Sequence, residues 1–173
     1  AATLEAAEIF TKLSDKFGNV GDRRNLAIAF SHACNFFRNL HLHDEAIRGG
    51  SESVMLWRSL TQESPAERED LAIGLTNLAD ALCSAGRPAE AIVHCAEAIE
   101  ILRAGGDQKG KADSPHLYEA LSGLAHHQME DDDFGAAWSA LSEAASLKGV
   151  KLGETVVVID TDLLAACGYL NGL

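Results

Sequence analysis

Proline is scarce in this sequence. Pro65, Pro88 and Pro115 are the only three in 173 residues, so long segments run free of the residue that most strongly interrupts a helix. Basic side chains are also few, 14 against 26 acidic ones, for a formal net charge of −12. That balance excludes nucleic acid and anionic membrane as main partners, because both would be repelled, and it favours a basic partner where charge matters. No apolar run approaches the ~20 residues needed to cross a bilayer. The opening residues, AATLEAAEIF, lack the basic-then-apolar layout of a signal peptide. A cytoplasmic chain is therefore expected, with no nucleic acid and no membrane among its partners. Cysteine pairs are missing too. Cys34, Cys83, Cys95 and Cys167 stand far apart with no C-x-x-C spacing, which argues against a zinc cluster or a disulfide framework. They read as reduced, small apolar residues.

What is present is helical periodicity, clearest from Ser64 to Arg103. Apolar residues at Leu71, Leu75, Leu78, Ala79 and Leu82 mark one buried face. Ser84-Ala85-Gly86-Arg87 makes a tight turn, and Ala91, Ile92, Cys95, Ala98, Ile99 and Leu102 form a second stripe. Ser64, Pro65 and Glu67 spell an S-x-x-E capping box with proline at the first helical position. Upstream, Leu4 to about Phe17 reads as a lone helix, ended by Gly18-Asn19. Asp22 caps a helix over 23–39 in this reading, and a turn at Leu40–His43 leads into Asp44–Leu60. Downstream, residues 104–114 read as a linker on account of their glycines. Ser114-Pro115 restarts a helix running to about Met129. Asp131-Asp132-Asp133 forms the next turn and an acidic helix start, which the helix dipole favours without any metal. The β-branched run Val156–Ile159 blurs the tail; a helix from about Thr161 fits the repeat register better. Trp57 and Trp138 both fall on core-facing positions of second helices.

These hairpins repeat. Leu26 aligns with Leu71 and Leu117, Phe30 with Leu75 and Leu121, Cys34 with Ala79 and Ala125, and Ala46 with Ala91 and Ala137, at offsets of 45 and then 46 residues. Phe37 aligns with Leu82 and Gln128. A further step of 46 carries Leu117 to Leu163 and Leu121 to Cys167. One domain over 1–173 follows, with a half-repeat helix in 1–18, full repeats in 22–62, 64–104 and 114–148, and a half-repeat in 155–173. The unpaired ends read as a fragment of a longer array, with self-association through exposed ends as a consequence.

The central hairpin resembles the tetratricopeptide repeat family. Leu75, Leu78, Ala79, Leu82, Gly86, Ala91, Cys95 and Ala98 fall at that family's spacing, and Leu121, Leu124, Ala125, Ala137, Leu141 and Ala144 repeat it. His41 and Asp132 depart from it at the turn glycine, Gln128 at an aromatic position, and Gly50 and Ser53 where bulkier residues or alanine are usual. The long period is similar to that of kinesin-light-chain-type repeats and of large bacterial and fungal arrays. The resemblance implies an all-α, right-handed superhelical solenoid of antiparallel helix pairs, working as a non-catalytic protein-interaction scaffold. It implies that the first helix of each repeat lines a concave groove. By register the groove rows are Ser31, Thr76 and Ser122; Asn35, Asp80 and His126; Arg38, Cys83 and Met129; and Asn39, Ser84 and Glu130. The candidate partner-binding set is Ser31, Asn35, Arg38, Thr76, Asp80, Ser84, Ser122, His126 and Glu130, for a protein or peptide. The alternatives are a sensor domain controlling an attached effector, and a structural self-association module.

Other chemistry finds little support. Asn35 and Asn77 match the asparagines of the family's carboxylate clamp, but Ser31, Glu119 and Gly123 occupy its basic positions. Asn77 instead reads as a bridge between helices. His41, His43 and Asp44 make at most a weak divalent-metal cluster. His126 and His127 are adjacent on a helix and so point away from each other. Asp160 and Asp162 lack the glycine of a calcium loop. With no nucleophile-elbow, zincin, P-loop or dinucleotide fingerprint, neither an enzyme nor a cofactor or resident metal is expected.

Overall fold

The computed structural model describes residues 20–106 and 115–148. Within them lie six α-helices: α1 (Val20–Asn39), α2 (His43–Glu63), α3 (Arg68–Ser84), α4 (Pro88–Gly106), α5 (Pro115–Glu130) and α6 (Phe134–Leu147). They pack as consecutive antiparallel pairs, α1 with α2, α3 with α4 and α5 with α6. Each second helix also packs on the first helix of the next pair, and α3 lies alongside both α1 and α5. This is an all-α helical-repeat architecture. The half-repeats expected in 1–18 and 155–173 lie outside the described residues.

The repeat register explains the core. Leu26, Leu71 and Leu117 are all at least nine-tenths buried, as are Phe30, Leu75 and Leu121. The small residues Cys34, Ala79 and Ala125, and Ala46, Ala91 and Ala137, are buried where helices approach most closely. Burying each large aliphatic or aromatic side chain contributes about 1.5–3 kcal/mol, so the stripe rather than helix propensity holds the stack together. Trp57 joins this core at 2% exposure. Trp138 does not: it is 49% exposed, because α6 meets no further helix among the described residues.

The three turns within the helix pairs share one backbone shape. His41, Gly86 and Asp132 adopt positive φ, 57°, 73° and 61°, and the residue after each donates to the carbonyl five residues back. These bonds are Leu42 N–H to Phe37 (3.0 Å), Arg87 N–H to Leu82 (3.0 Å) and Asp133 N–H to Gln128 (2.8 Å). This is the Schellman closure of a helix C-terminus. The departures from glycine at His41 and Asp132 therefore change the residue but not the turn. As expected, the acidic run starts the following helix, with Asp133 Oδ1 accepting from Ala136 N–H at 3.0 Å.

Several local expectations are corrected. Ser64 makes no side-chain cap; Pro65–Glu67 is a 3₁₀ turn and the α-helix starts at Arg68. Glu67 is buried and drawn instead to Arg24, whose Nε donates to it at 3.2 Å. A charge-assisted bond to a neighbouring helix has displaced the local cap. The chain is already helical at Val20, so Asp22 stands within α1 rather than at its start. α4 continues through Ala104–Gly106, which sequence assigned to the linker.

The irregular residues of the first repeat have a packing role. At Gly50 a Cβ would stand 3.1 Å from Leu78 Cδ1 and 3.2 Å from both Leu78 Cα and Cys34 Sγ. Glycine there lets α2 approach α3 closely. Ser53 is fully buried and donates to the Ala27 carbonyl at 2.9 Å. On the surface, ion pairs follow the repeat: Arg58–Glu97 joins α2 to α4 and Arg103–Glu143 joins α4 to α6, both with closest approaches under 3 Å. Arg58 and Arg103 are 45 residues apart, Glu97 and Glu143 46.

Candidate functional site

The first helices α1, α3 and α5 stand side by side, and polar side chains from each meet along their shared face. On α1, Asn35 Nδ2 donates to Asn77 Oδ1 of α3 at 3.2 Å, the bridging role that sequence assigned to Asn77. Arg38 donates to Asn35 Oδ1 at 3.4 Å through one amino group and to Asp80 Oδ2 at 3.3 Å through the other. Asp80 Oδ1 in turn lies 3.5 Å from Nε2 of His127 on α5. A polar ladder thus crosses three helices, one rung per repeat. Its geometry follows from residue spacing: Asn35 and Arg38 are three apart, as are Asn77 and Asp80, so each pair shares a helix face.

Burial sets the electrostatics of this ladder. Desolvation raises the Asp80 carboxyl above its ordinary value, while Arg38 and His126 pull the other way. Burial pushes the Cys83 thiol up to about 11, with Glu130 and Asp80 adding to the effect. His127 is 1% exposed, and burial, helped by the nearby His126 and Arg38, lowers it to about 4. It is therefore a neutral imidazole at neutral pH. Neither of its ring nitrogens has a hydrogen-bond partner in the protein, and Arg38 Nε and Ser122 Oγ share that condition.

The sequence-predicted residues divide into three groups. Asn35, Arg38 and Asp80 are brought together directly. Thr76, Ser122 and His126 are half-buried on the same helices, and Ser84 and Glu130 are exposed at their ends. Thr76 and Ser84 spend their hydroxyls locally, on the carbonyls of Ala72 and Asp80. Ser31 is withdrawn from the face altogether: it is buried, with its hydroxyl 3.0 Å from that of Ser53 on α2. At one end of the face Arg38, Asn39, His41, His43 and Ser84 line an open depression of about 620 Å³. Sequence reasoning set His127 aside because it does not share a helix face with its neighbour His126; helical register gives no signal of what a side chain meets on the next repeat.

The arrangement defines a class: an all-α repeat protein with the fold of a tetratricopeptide repeat domain. The crystal structure of the TPR domain of Arabidopsis FLU is similar to it, with a TM-score of 0.59 at 19% sequence identity, covering 73% of this chain and 98% of that one. The likeness establishes the fold. No protein-family model matches the sequence, and no curated protein matches it. No described helix is long and apolar enough to cross a membrane.

Proposed function

We propose that this chain is a protein-interaction scaffold that binds a peptide or partner protein along the face built by α1, α3 and α5, the concave side in this fold. The observation that carries the reading is the polar ladder in which Asn35 and Arg38 of α1 bond to Asn77 and Asp80 of α3, with His127 of α5 standing 3.5 Å beyond Asp80. Rigid helices hold its donors and acceptors at fixed spacing, so a bound segment loses its own entropy but little of the scaffold's. The net charge of −12 and the exposed Glu130 favour a segment carrying Lys or Arg.

The test is selection of a random displayed peptide library on the purified chain. Enrichment of basic peptides that no longer bind the Asn35→Ala/Asp80→Arg double variant supports the reading. Peptides captured equally well by both proteins would move binding off this face.

A further inference from the structure

At the Glu130 end of the ladder, three potential metal ligands converge. Ligand atoms of Cys83, His126 and His127 all lie within 4.8 Å of one another. Cys83 is in the last turn of α3, and the two histidines are in the last turns of α5. Adjacent histidines on an isolated helix point to different faces, but here their ring centroids stand 5.8 Å apart, with the ring planes at 57°. Both flank the sulfur supplied by the neighbouring repeat.

Independent features point to a cation between them. His127 is almost wholly buried, yet both its ring nitrogens lack a hydrogen-bond partner in the protein. Leaving a buried imidazole without partners is destabilising, and a metal ion is a partner that relieves it. Asp80 stands 3.5 Å from His127 Nε2, where a carboxylate steadies a metal-bound imidazole. Asp80 and Glu130 outweigh Arg38 in the local charge, and the C-terminal ends of α3 and α5 add partial negative charge. Tetrahedral zinc needs ligand atoms about 3.3–3.6 Å apart, given bonds of ~2.0–2.3 Å. Half-buried Cys83 and His126 have the rotamer freedom to close the remaining gap.

We propose that Cys83, His126 and His127 form a binding site for a thiophilic divalent cation of the zinc class, held between the ends of α3 and α5. On binding, the Cys83 thiol releases its proton to solvent and its sulfur donates an electron pair to the metal. The two imidazoles bind as neutral donors. With three protein ligands the ion keeps one position for water or for a donor atom of a bound segment. The site goes beyond peptide recognition and stands or falls without it.

The test uses the full chain, stripped with a chelator and titrated with Co²⁺ and then Zn²⁺, with no peptide present. One equivalent of Co²⁺ should give the visible bands of a tetrahedral ion and a sulfur-to-metal charge-transfer band, both bleached by Zn²⁺. Cys83→Ser should abolish the charge-transfer band, and His126→Ala, which removes a ligand, should weaken Zn²⁺ binding by at least the ~10–100-fold that losing an outer-shell partner costs. His126 is half-exposed, so its variant keeps the helical circular dichroism of the parent and decides the matter should Cys83→Ser fail to fold. His41→Asn should leave binding unchanged. Absence of stoichiometric uptake, full affinity in His126→Ala, or loss of binding in His41→Asn would each overturn the proposal.

Discussion

Arg38 reaches from α1 to α3 and holds Asp80 at 3.3 Å, with both side chains about 30% exposed. The pair ties the first repeat to the second at the centre of the ladder, and the same guanidinium braces Asn35. Half-burial makes it stronger than a surface pair without the full desolvation cost of a buried one. A double-mutant cycle with Arg38→Met and Asp80→Asn should give a coupling of about 1 kcal/mol in urea denaturation. Coupling indistinguishable from zero would mean that the two charges are held apart by solvent.

The turns make a paired prediction. Gly86 holds φ at 73° without cost, whereas His41 holds 57° with a Cβ. Gly86→Ala should therefore destabilise by about 1 kcal/mol, and His41→Gly should stabilise by up to about 1 kcal/mol. Thermal melts of the two variants should move in opposite directions. Asp132→Gly should move less than His41→Gly, since the short aspartate side chain can hydrogen-bond locally in this conformation.

Gly50 should resist the usual benefit of alanine in a helix. Propensity favours Gly50→Ala by about 1 kcal/mol, but the new methyl meets Leu78 Cδ1 at 3.1 Å and both Leu78 Cα and Cys34 Sγ at 3.2 Å. Overpacking of this kind costs about 1–3 kcal/mol. The net expectation is a loss, larger for Gly50→Val, read from the urea midpoint. A gain on Gly50→Ala would show that α2 can shift away from α3 freely.

His127 ties stability to pH. Its imidazole titrates near 4 in the folded chain and near 6.5 when unfolded. Between those values the unfolded state binds the extra proton, so stability rises with pH and falls on acidification. Below about 4 the contribution is flat. The metal-free protein should lose about 2–3 kcal/mol from this group between pH 7 and 4. His94, also lowered by burial, adds in the same direction, and Asp80, raised by burial, opposes both at the acid end. The contrast with His127→Leu isolates the term: the wild-type profile should be the steeper of the two between pH 6.5 and 4. Parallel profiles would count against a neutral, buried His127.

Much of the architecture was legible in the chain. Apolar residues every three to four positions mark the helices, and their return after 45 and 46 residues marks the repeats, because each buried stripe is a local pattern. The helix boundaries were less legible where a distant partner competed. Ser64 and Glu67 carry a sound capping signal, but Arg24, 43 residues away, takes the carboxylate.

The candidate face shows the same division. Asn35, Arg38 and Asp80 were placed on it by register, since their spacing is fixed within helices whose period the sequence reveals. Ser31 lies in the same register yet is turned inward to Ser53, because α2 packs close enough to bury it. His127 and Cys83 gave no sign of each other from 44 residues apart. The local periodicity of the chain specifies helices, turns and repeat register, since those depend on neighbours a few residues away. Which polar groups pair across the stack, and which are stranded, depends on side-chain directions and inter-helix distances set by core packing, and no short-range pattern encodes them.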